Sequence, residues 1–194
     1  MKDIVLSGIS KAFDGKAVLS DISLTIKAGE TVCIRGRSGI GKTTLLRIIA
    51  GLTQPDSGTV SGVPERIAFV FQEDRLCEEF SAVSNVRLVT GRSLMSVEII
   101  LKHLAELELS GSAMTPVRDF SGGMKRRVAL VRAVCAEPEL LILDEPFKGL
   151  DFELKQRAIT YIKKHSVRKS VICVTHDPSE TDLMGGRVID LEAT

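Results

Sequence analysis

Apolar and polar residues alternate near the start of the chain, at Ile4-Val5-Leu6 and again at Ile22-Ser23-Leu24-Thr25-Ile26. A period of two belongs to strands with one buried face. The turn-forming pair Asp14-Gly15 separates the two runs, so they predict a short antiparallel β layer. Beyond a turn at Lys27-Ala28-Gly29-Glu30 the alternation stops. Thr31-Val32-Cys33-Ile34-Arg35 is a β-branched apolar run that predicts a strand, and Thr43-Thr44-Leu45-Leu46-Arg47-Ile48-Ile49-Ala50 predicts a helix closed by Gly51. Strand, glycine-rich loop and helix follow in direct succession.

A further strand is expected at Ile67-Ala68-Phe69-Val70-Phe71, ending in the polar break Gln72-Glu73-Asp74-Arg75. From about Leu76 to Met114 the pattern becomes helical. In Val97 to Leu107 the leucines recur at helical spacing, and Glu98 and Lys102 form an i,i+4 pair. Residues 72–114 therefore read as an inserted helical subdomain. The remainder alternates a helix from Met124 to Ala136, a strand from Leu140 to Leu143, a helix from Leu154 to His165, a strand from Val171 to Thr175 and a last strand near Arg187 to Leu191. Such alternation predicts an α/β fold with a parallel, doubly wound sheet flanked by helices. The expectation is one domain over residues 1–194, its core and β layer drawn from 1–71 and 115–194.

Length and composition narrow the function. At 194 residues and 44% hydrophobic content, the chain buries one substantial core and leaves no room for a second half of similar size. The net charge is +1, with basic residues spread along the chain, so nothing points to nucleic acid. Lys125-Arg126-Arg127 reads as the solvated face of a helix. Cys33, Cys77, Cys135 and Cys173 lack metal or redox spacing, and three lie in apolar stretches, as reduced core thiols of a cytosolic protein would. The first residues lack a signal-peptide pattern, and no apolar run approaches the roughly 20 residues a spanning helix needs. Any role at a membrane must come through a partner.

Chemistry concentrates at three places. Gly36-Arg37-Ser38-Gly39-Ile40-Gly41-Lys42-Thr43 has the spacing G-x-x-x-x-G-K-[ST]. Its glycines let successive backbone N–H groups turn inward around phosphate oxygens, Lys42 reaches the β and γ phosphates, and the Thr43 hydroxyl is placed for magnesium. The following helix adds the positive end of its dipole. Asp144 and Glu145 emerge from the apolar run Leu140 to Leu143, at the carboxyl end of a strand, where ligands of open parallel sheets sit. Asp144 is expected near magnesium, and Glu145 can orient or deprotonate the water that attacks the γ phosphate. At Ser121-Gly122-Gly123-Met124 an N-cap serine precedes exposed amides that could hold an anion. Taken alone, that motif does no more than start a helix, just as Gln72 is only a polar residue at a strand end.

In order, these segments resemble the nucleotide-binding subunit of an ABC transporter over nearly the whole chain, with a P-loop NTPase core. Walker A is Gly36 to Thr43, and the Q-loop glutamine is Gln72. The signature is Phe120-Ser121-Gly122-Gly123-Met124, Walker B is Leu140 to Asp144 with the catalytic glutamate Glu145, the D-loop is Lys148-Gly149-Leu150-Asp151, and the switch histidine is His176. The resemblance implies ATP and Mg2+ as cofactors, with Thr43, Gln72 and Asp144 toward the metal. It implies Gly36, Ser38, Gly39, Gly41, Lys42, Thr43 and Thr44 on the phosphates and Phe13 on adenine. It also implies a head-to-tail pair of subunits, either two copies or one copy with a homologous ATPase, in which Ser121, Gly122, Gly123 and Asp151 of one close over the nucleotide of the other.

The signature ends in Met124 where glutamine is commonest, and the D-loop has Lys148-Gly149 where a small pair is usual; activity is expected to survive both. With Thr194 so soon after the last strand, no regulatory domain is expected. The implied function is an ATPase on the inner face of the cell membrane, held there by permease subunits. Its motifs are closest to uptake systems for nitrate, sulfonates or taurine, which also use an extracytoplasmic solute-binding protein. A stand-alone export ATPase shares most of these motifs. A soluble clamp on nucleic acid would need a coiled-coil insertion, a second half or a basic arm, none of which is present.

Overall fold

A computed structural model describes residues 1–191, without the side chains at 91–94. The chain forms two compact units. The first comprises residues 1–69, 139–144 and 168 onward; the second comprises 70–138 and 145–167.

The first unit holds two sheets. Strands β1 (Ile4–Phe13), β2 (Lys16–Ile26) and β4 (Ser57–Ser61) form an antiparallel sheet in the order β2-β1-β4. Its first two strands are ten and eleven residues long, so the layer is larger than the alternation alone predicted. The chain reaches that length by shifting register between Leu6 and Ile9 and again before Ala12, bulges that interrupt the alternation there. Strands β3 (Thr31–Arg35), β5 (Ile67–Val70), β6 (Leu140–Asp144), β7 (Ser170–Val174) and β8 (Arg187–Asp190) form the second sheet, in the order β5-β6-β7-β3-β8. The pairs of β3 with β7, β3 with β8 and β6 with β7 are parallel. Every residue of β6 and β7 is buried, as expected of central strands covered on both faces. Helix α1 (Lys42–Ile49) joins both sheets in one core, where Ile4, Leu6 and Ile9 meet Leu45, Leu46, Ile49, Ile34, Ile142 and Ile172.

The second unit is helical. It contains α2 (Ala82–Leu94), α3 (Val97–Glu106), α4 (Gly122–Cys135) and α5 (Phe152–His165). Residues 76–114 are thus not one helical run: α2 and α3 each start on a serine cap, Ser81 or Ser96, and the chain then drops into a short 3-10 turn at Ser110–Ser112. A last helix, α6 (Pro178–Met184), belongs to the first unit and was not expected from the pattern. Of the four cysteines, Cys33, Cys135 and Cys173 are buried thiols and Cys77 is exposed.

Candidate functional site

Within the first unit the site grows from the carboxyl ends of β3 and β6. β3 delivers the chain into the loop Gly36 to Gly41, and α1 takes it away. Two loop glycines are required by space. A Cβ on Gly36 would lie 2.7 Å from the Leu191 carbonyl oxygen, and one on Gly41 would lie 2.8 Å from both Val18 O and Leu19 Cδ2. Gly41 is also the cap of α1, at φ 102°, a conformation that side chains disfavour. Ser38 and Gly39 at the loop's tip are exposed, and Thr44, the third residue of α1, is half-buried.

Lys42 folds back over this loop. Its Nζ donates to Gly36 O at 2.7 Å and Arg37 O at 2.9 Å, and only 7% of the residue is exposed. A buried ammonium needs such acceptors. Thr43 Oγ1 donates to Asp144 Oδ2 at 2.8 Å, which joins the start of α1 to the end of β6. A hydroxyl and a carboxylate side by side are hard oxygen donors, a set that suits magnesium.

β7 ends beside β6, with Val174 in register with Asp144, and presents His176 two residues later. Thr175 anchors that loop, since its hydroxyl donates to Glu180 on α6 and its oxygen accepts from Asp177 N at 3.1 Å. Asp177 in turn caps α6 through Ser179 N. His176 is exposed on this fixed turn, and Phe13 at the end of β1 is exposed with Lys11 Nζ 5.4 Å from its ring centroid. Loop, Thr43, Asp144 and His176 all belong to this one unit.

The remaining predicted residues lie in the second unit. Ser121 caps α4, its Oγ accepting from Met124 N at 3.3 Å, and Gly122 opens the helix with open space around its Cα. Gly123 packs on the D-loop: an added Cβ would lie 3.2 Å from Gly149 O. Asp151 caps α5 by accepting from Leu154 N at 2.9 Å. Glu145 begins the turn between Asp144 and this loop at φ 48°, the left-handed region that a glutamate seldom adopts. Gln72 is exposed, and its carbonyl accepts from Arg126.

That last contact corrects one expectation. Arg126 and Arg127 are no solvated face: they are 4% and 8% exposed. Arg126 donates to Phe71 O at 2.6 Å as well as to Gln72 O, and its Nε lies 3.2 Å from Asp74 Oδ1. The Nε contact is an ion pair without hydrogen-bond alignment, which leaves Asp74 Oδ1 buried with no hydrogen bond. Burial accordingly pushes the Asp74 carboxyl up, against the pull of Arg126. Arg132 adds bonds to Arg75 O and Asp74 O, and Arg127 bonds Leu107 O at 2.7 Å. The helix opened by the Ser-Gly-Gly motif therefore grips the backbone that carries Gln72. Only the run of three basic residues signalled this in the sequence, and a basic run usually means the opposite.

Comparison with known proteins agrees with this geometry. The family model described as "ABC transporter" matches residues 19–148. The chain is 40% identical over 193 residues to aliphatic sulfonates import ATP-binding protein SsuB 1 of Nocardia farcinica, covering 97% of this chain and 78% of that one. It is 39% identical over 207 residues to Nod factor export ATP-binding protein I of Rhizobium johnstonii, covering 98% and 66%. Among solved structures it is similar to the dimeric, post-hydrolysis ATP-binding cassette MJ0796 bound to ADP and Pi. There the TM-score is 0.87 and the identity 30%, over 98% of this chain and 94% of that one.

Proposed function

The chain belongs to the ABC transporter family as an ATP-binding, ATP-hydrolysing subunit, and from that premise we propose that it works as two head-to-tail copies that energise an importer. The observation that carries the ATPase reading is the convergence of Lys42, Thr43 and Asp144 at the carboxyl ends of β3 and β6. Residues 1–194 act as one ABC ATPase domain.

On binding ATP, Lys42 exchanges the carbonyls of Gly36 and Arg37 for β and γ phosphate oxygens, and amides from Gly36 to Thr44, including those of Ser38 and Gly39, surround the phosphates. Phe13 stacks on adenine. Thr43 and Asp144 would hold magnesium, which when bound draws charge from the phosphates. Glu145 accepts the proton of the attacking water, and His176 donates to the γ phosphate. The second copy supplies Ser121, Gly122 and Gly123 as an amide cluster and helix N-terminus, with Asp151 beside them.

The permease partner docks on the second unit, at a cavity of about 350 Å³ lined by Phe80, Ser84, Arg87 and Leu88. Phe80 and Leu88 are large apolar side chains left exposed there, as an interface requires. Among the described residues no helix is long and apolar enough to cross a membrane. Docking through this face would hold the subunit at the inner side of the membrane. Leu88→Asp is expected to abolish transport by the assembled system while ATP hydrolysis by the isolated chain stays within twofold.

Import is favoured because sulfonate import subunits recur among the relatives, at 37–40% identity. Export is the second reading, favoured by the 39% identity to the Nod factor subunit. Reconstitution with the native permease separates them: only import requires a solute-binding protein on the outer side. Glu145→Gln tests the catalytic assignment. The variant is expected to keep ATP, to form a lasting ATP-dependent dimer and to lose turnover by about 10²–10⁴-fold. Wild-type hydrolysis in that variant would remove Glu145 from its role.

A further inference from the structure

Away from the nucleotide site, a second set of ligating side chains meets in the helical unit. His103 and Glu106 stand one turn apart on α3 and so share a helix face, and His165 is the last residue of α5. One ligand atom from each lies within 4.8 Å of the others, and the two imidazole centroids are 4.6 Å apart. All three residues are half-buried.

We propose that His103, Glu106 and His165 form a binding site for a divalent transition-metal ion, with zinc as the probe. Two imidazoles and a carboxylate are a donor set for zinc, nickel or cobalt, whereas magnesium and calcium call for oxygen alone. His165 Nε2 lies 3.1 and 3.2 Å from the Glu106 oxygens, so a metal ion takes the place of the proton these groups share. Zinc bonds of about 2.0–2.2 Å put tetrahedral ligand atoms roughly 3.4 Å apart, a separation near that of His165 Nε2 and Glu106 at 3.1 Å.

The surroundings fit this use. His103 Nδ1 is 2.9 Å from the Tyr161 hydroxyl. In the tautomer whose Nδ1–H donates to the Tyr161 oxygen, the lone pair of His103 is on Nε2; such an outer partner sets the tautomer of a ligating histidine. A cavity of about 570 Å³ lined by Glu106, Tyr161 and Lys164 opens onto the carboxylate member of the set. Lys164 Nζ is 3.0 Å from Glu106 and competes with the metal, but it is mostly exposed and can swing into solvent. An ion bound here would cross-link α3 to the end of α5.

Zinc titration of the chelator-treated, nucleotide-free chain by calorimetry tests the site, in a Cys77→Ser background because that thiol is exposed. The background chain is expected to bind zinc, His103→Gln and His165→Gln to weaken binding at least tenfold, and Lys164→Ala to tighten it at least twofold. ATP affinity should be unchanged in all three, which separates this test from that of the nucleotide site. The proposal falls if the background chain binds no zinc, or if both histidine variants bind it equally well. Should those variants fail to fold, Lys164→Ala decides alone, and unchanged affinity overturns the site.

Discussion

At the scale of single residues, the phosphate loop is a case where space and backbone conformation act separately. Gly39 and Gly41 both have positive φ, 80° and 102°, but a Cβ on Gly39 meets nothing within 4 Å whereas one on Gly41 meets Val18 O and Leu19 Cδ2 at 2.8 Å. Gly41→Ala therefore combines the strain of the left-handed region with a collision against backbone, and is expected to destabilise the fold by about 1–3 kcal/mol. Because Lys42 follows directly, ATP affinity should fall at least tenfold. Gly39→Ala carries the conformational strain alone and should lose less of both. Denaturant titration and ATP calorimetry on the two variants check the ranking, and equal losses would refute it. Glu145 is the converse case: a residue that could relieve its φ of 48° as glycine is a glutamate instead, which fits a position kept for its carboxylate.

At the scale of elements, α4 is both the carrier of the signature glycines and the clamp on the segment that holds Gln72. Arg126→Met removes the bonds to Phe71 O and Gln72 O and leaves the Asp74 carboxylate without its counter-ion. Breaking a buried pair on one side costs about 3 kcal/mol. The variant should lose stability by that order and lower kcat more than it raises KM for ATP, because the nucleotide loop in the other unit is untouched. Adding Asp74→Asn should recover part of the stability, the coupling that a double-mutant cycle measures. Asp74→Asn alone also carries a pH signature. Burial raises the Asp74 carboxyl in the folded state, so the folded protein holds its proton more tightly, and stability falls as pH rises from the ordinary aspartate value through the raised one. The asparagine variant should lack that slope in thermal unfolding followed against pH.

The elements also mark how far the sequence could be read. β3, α1 and β6 were legible because an unbroken apolar run and a capped helix each carry their own pattern, and the Walker residues hang directly on them. β4 was missed because Ser57-Gly58-Thr59-Val60-Ser61 is almost wholly exposed on an edge strand and has no apolar alternation to read. α6 was missed because it spans seven residues, Pro178–Met184, too few to show a helical period. Arg126 was misread because its hydrogen bonds go to backbone carbonyls, and a carbonyl leaves no trace in the identity of the residue that bears it.

At the scale of the whole molecule, the question is how many chains one ATP needs. The loop, Thr43, Asp144 and His176 are in one unit, and Ser121 to Gly123, which carry the helix N-terminus suited to an anion, are in the other. The cassette MJ0796 that this chain is similar to is dimeric with ADP and Pi bound. If each site takes its loop from one copy and its signature from the second, two different defects can cure each other. Lys42→Ala disables the loop, and Ser121→Arg disables the signature. Either variant alone forms only dimers in which both sites are broken. Mixed in equal amounts, half of the dimers are hybrids, and each hybrid joins the loop of the Ser121→Arg chain to the signature of the Lys42→Ala chain in one intact site. ATP hydrolysis should then return to about one quarter of the wild-type rate, since half of the dimers carry one working site of two. A chain that closes its own signature over its own nucleotide gives no recovery at any mixing ratio, and that result would overturn the two-copy site while leaving the phosphate loop in place.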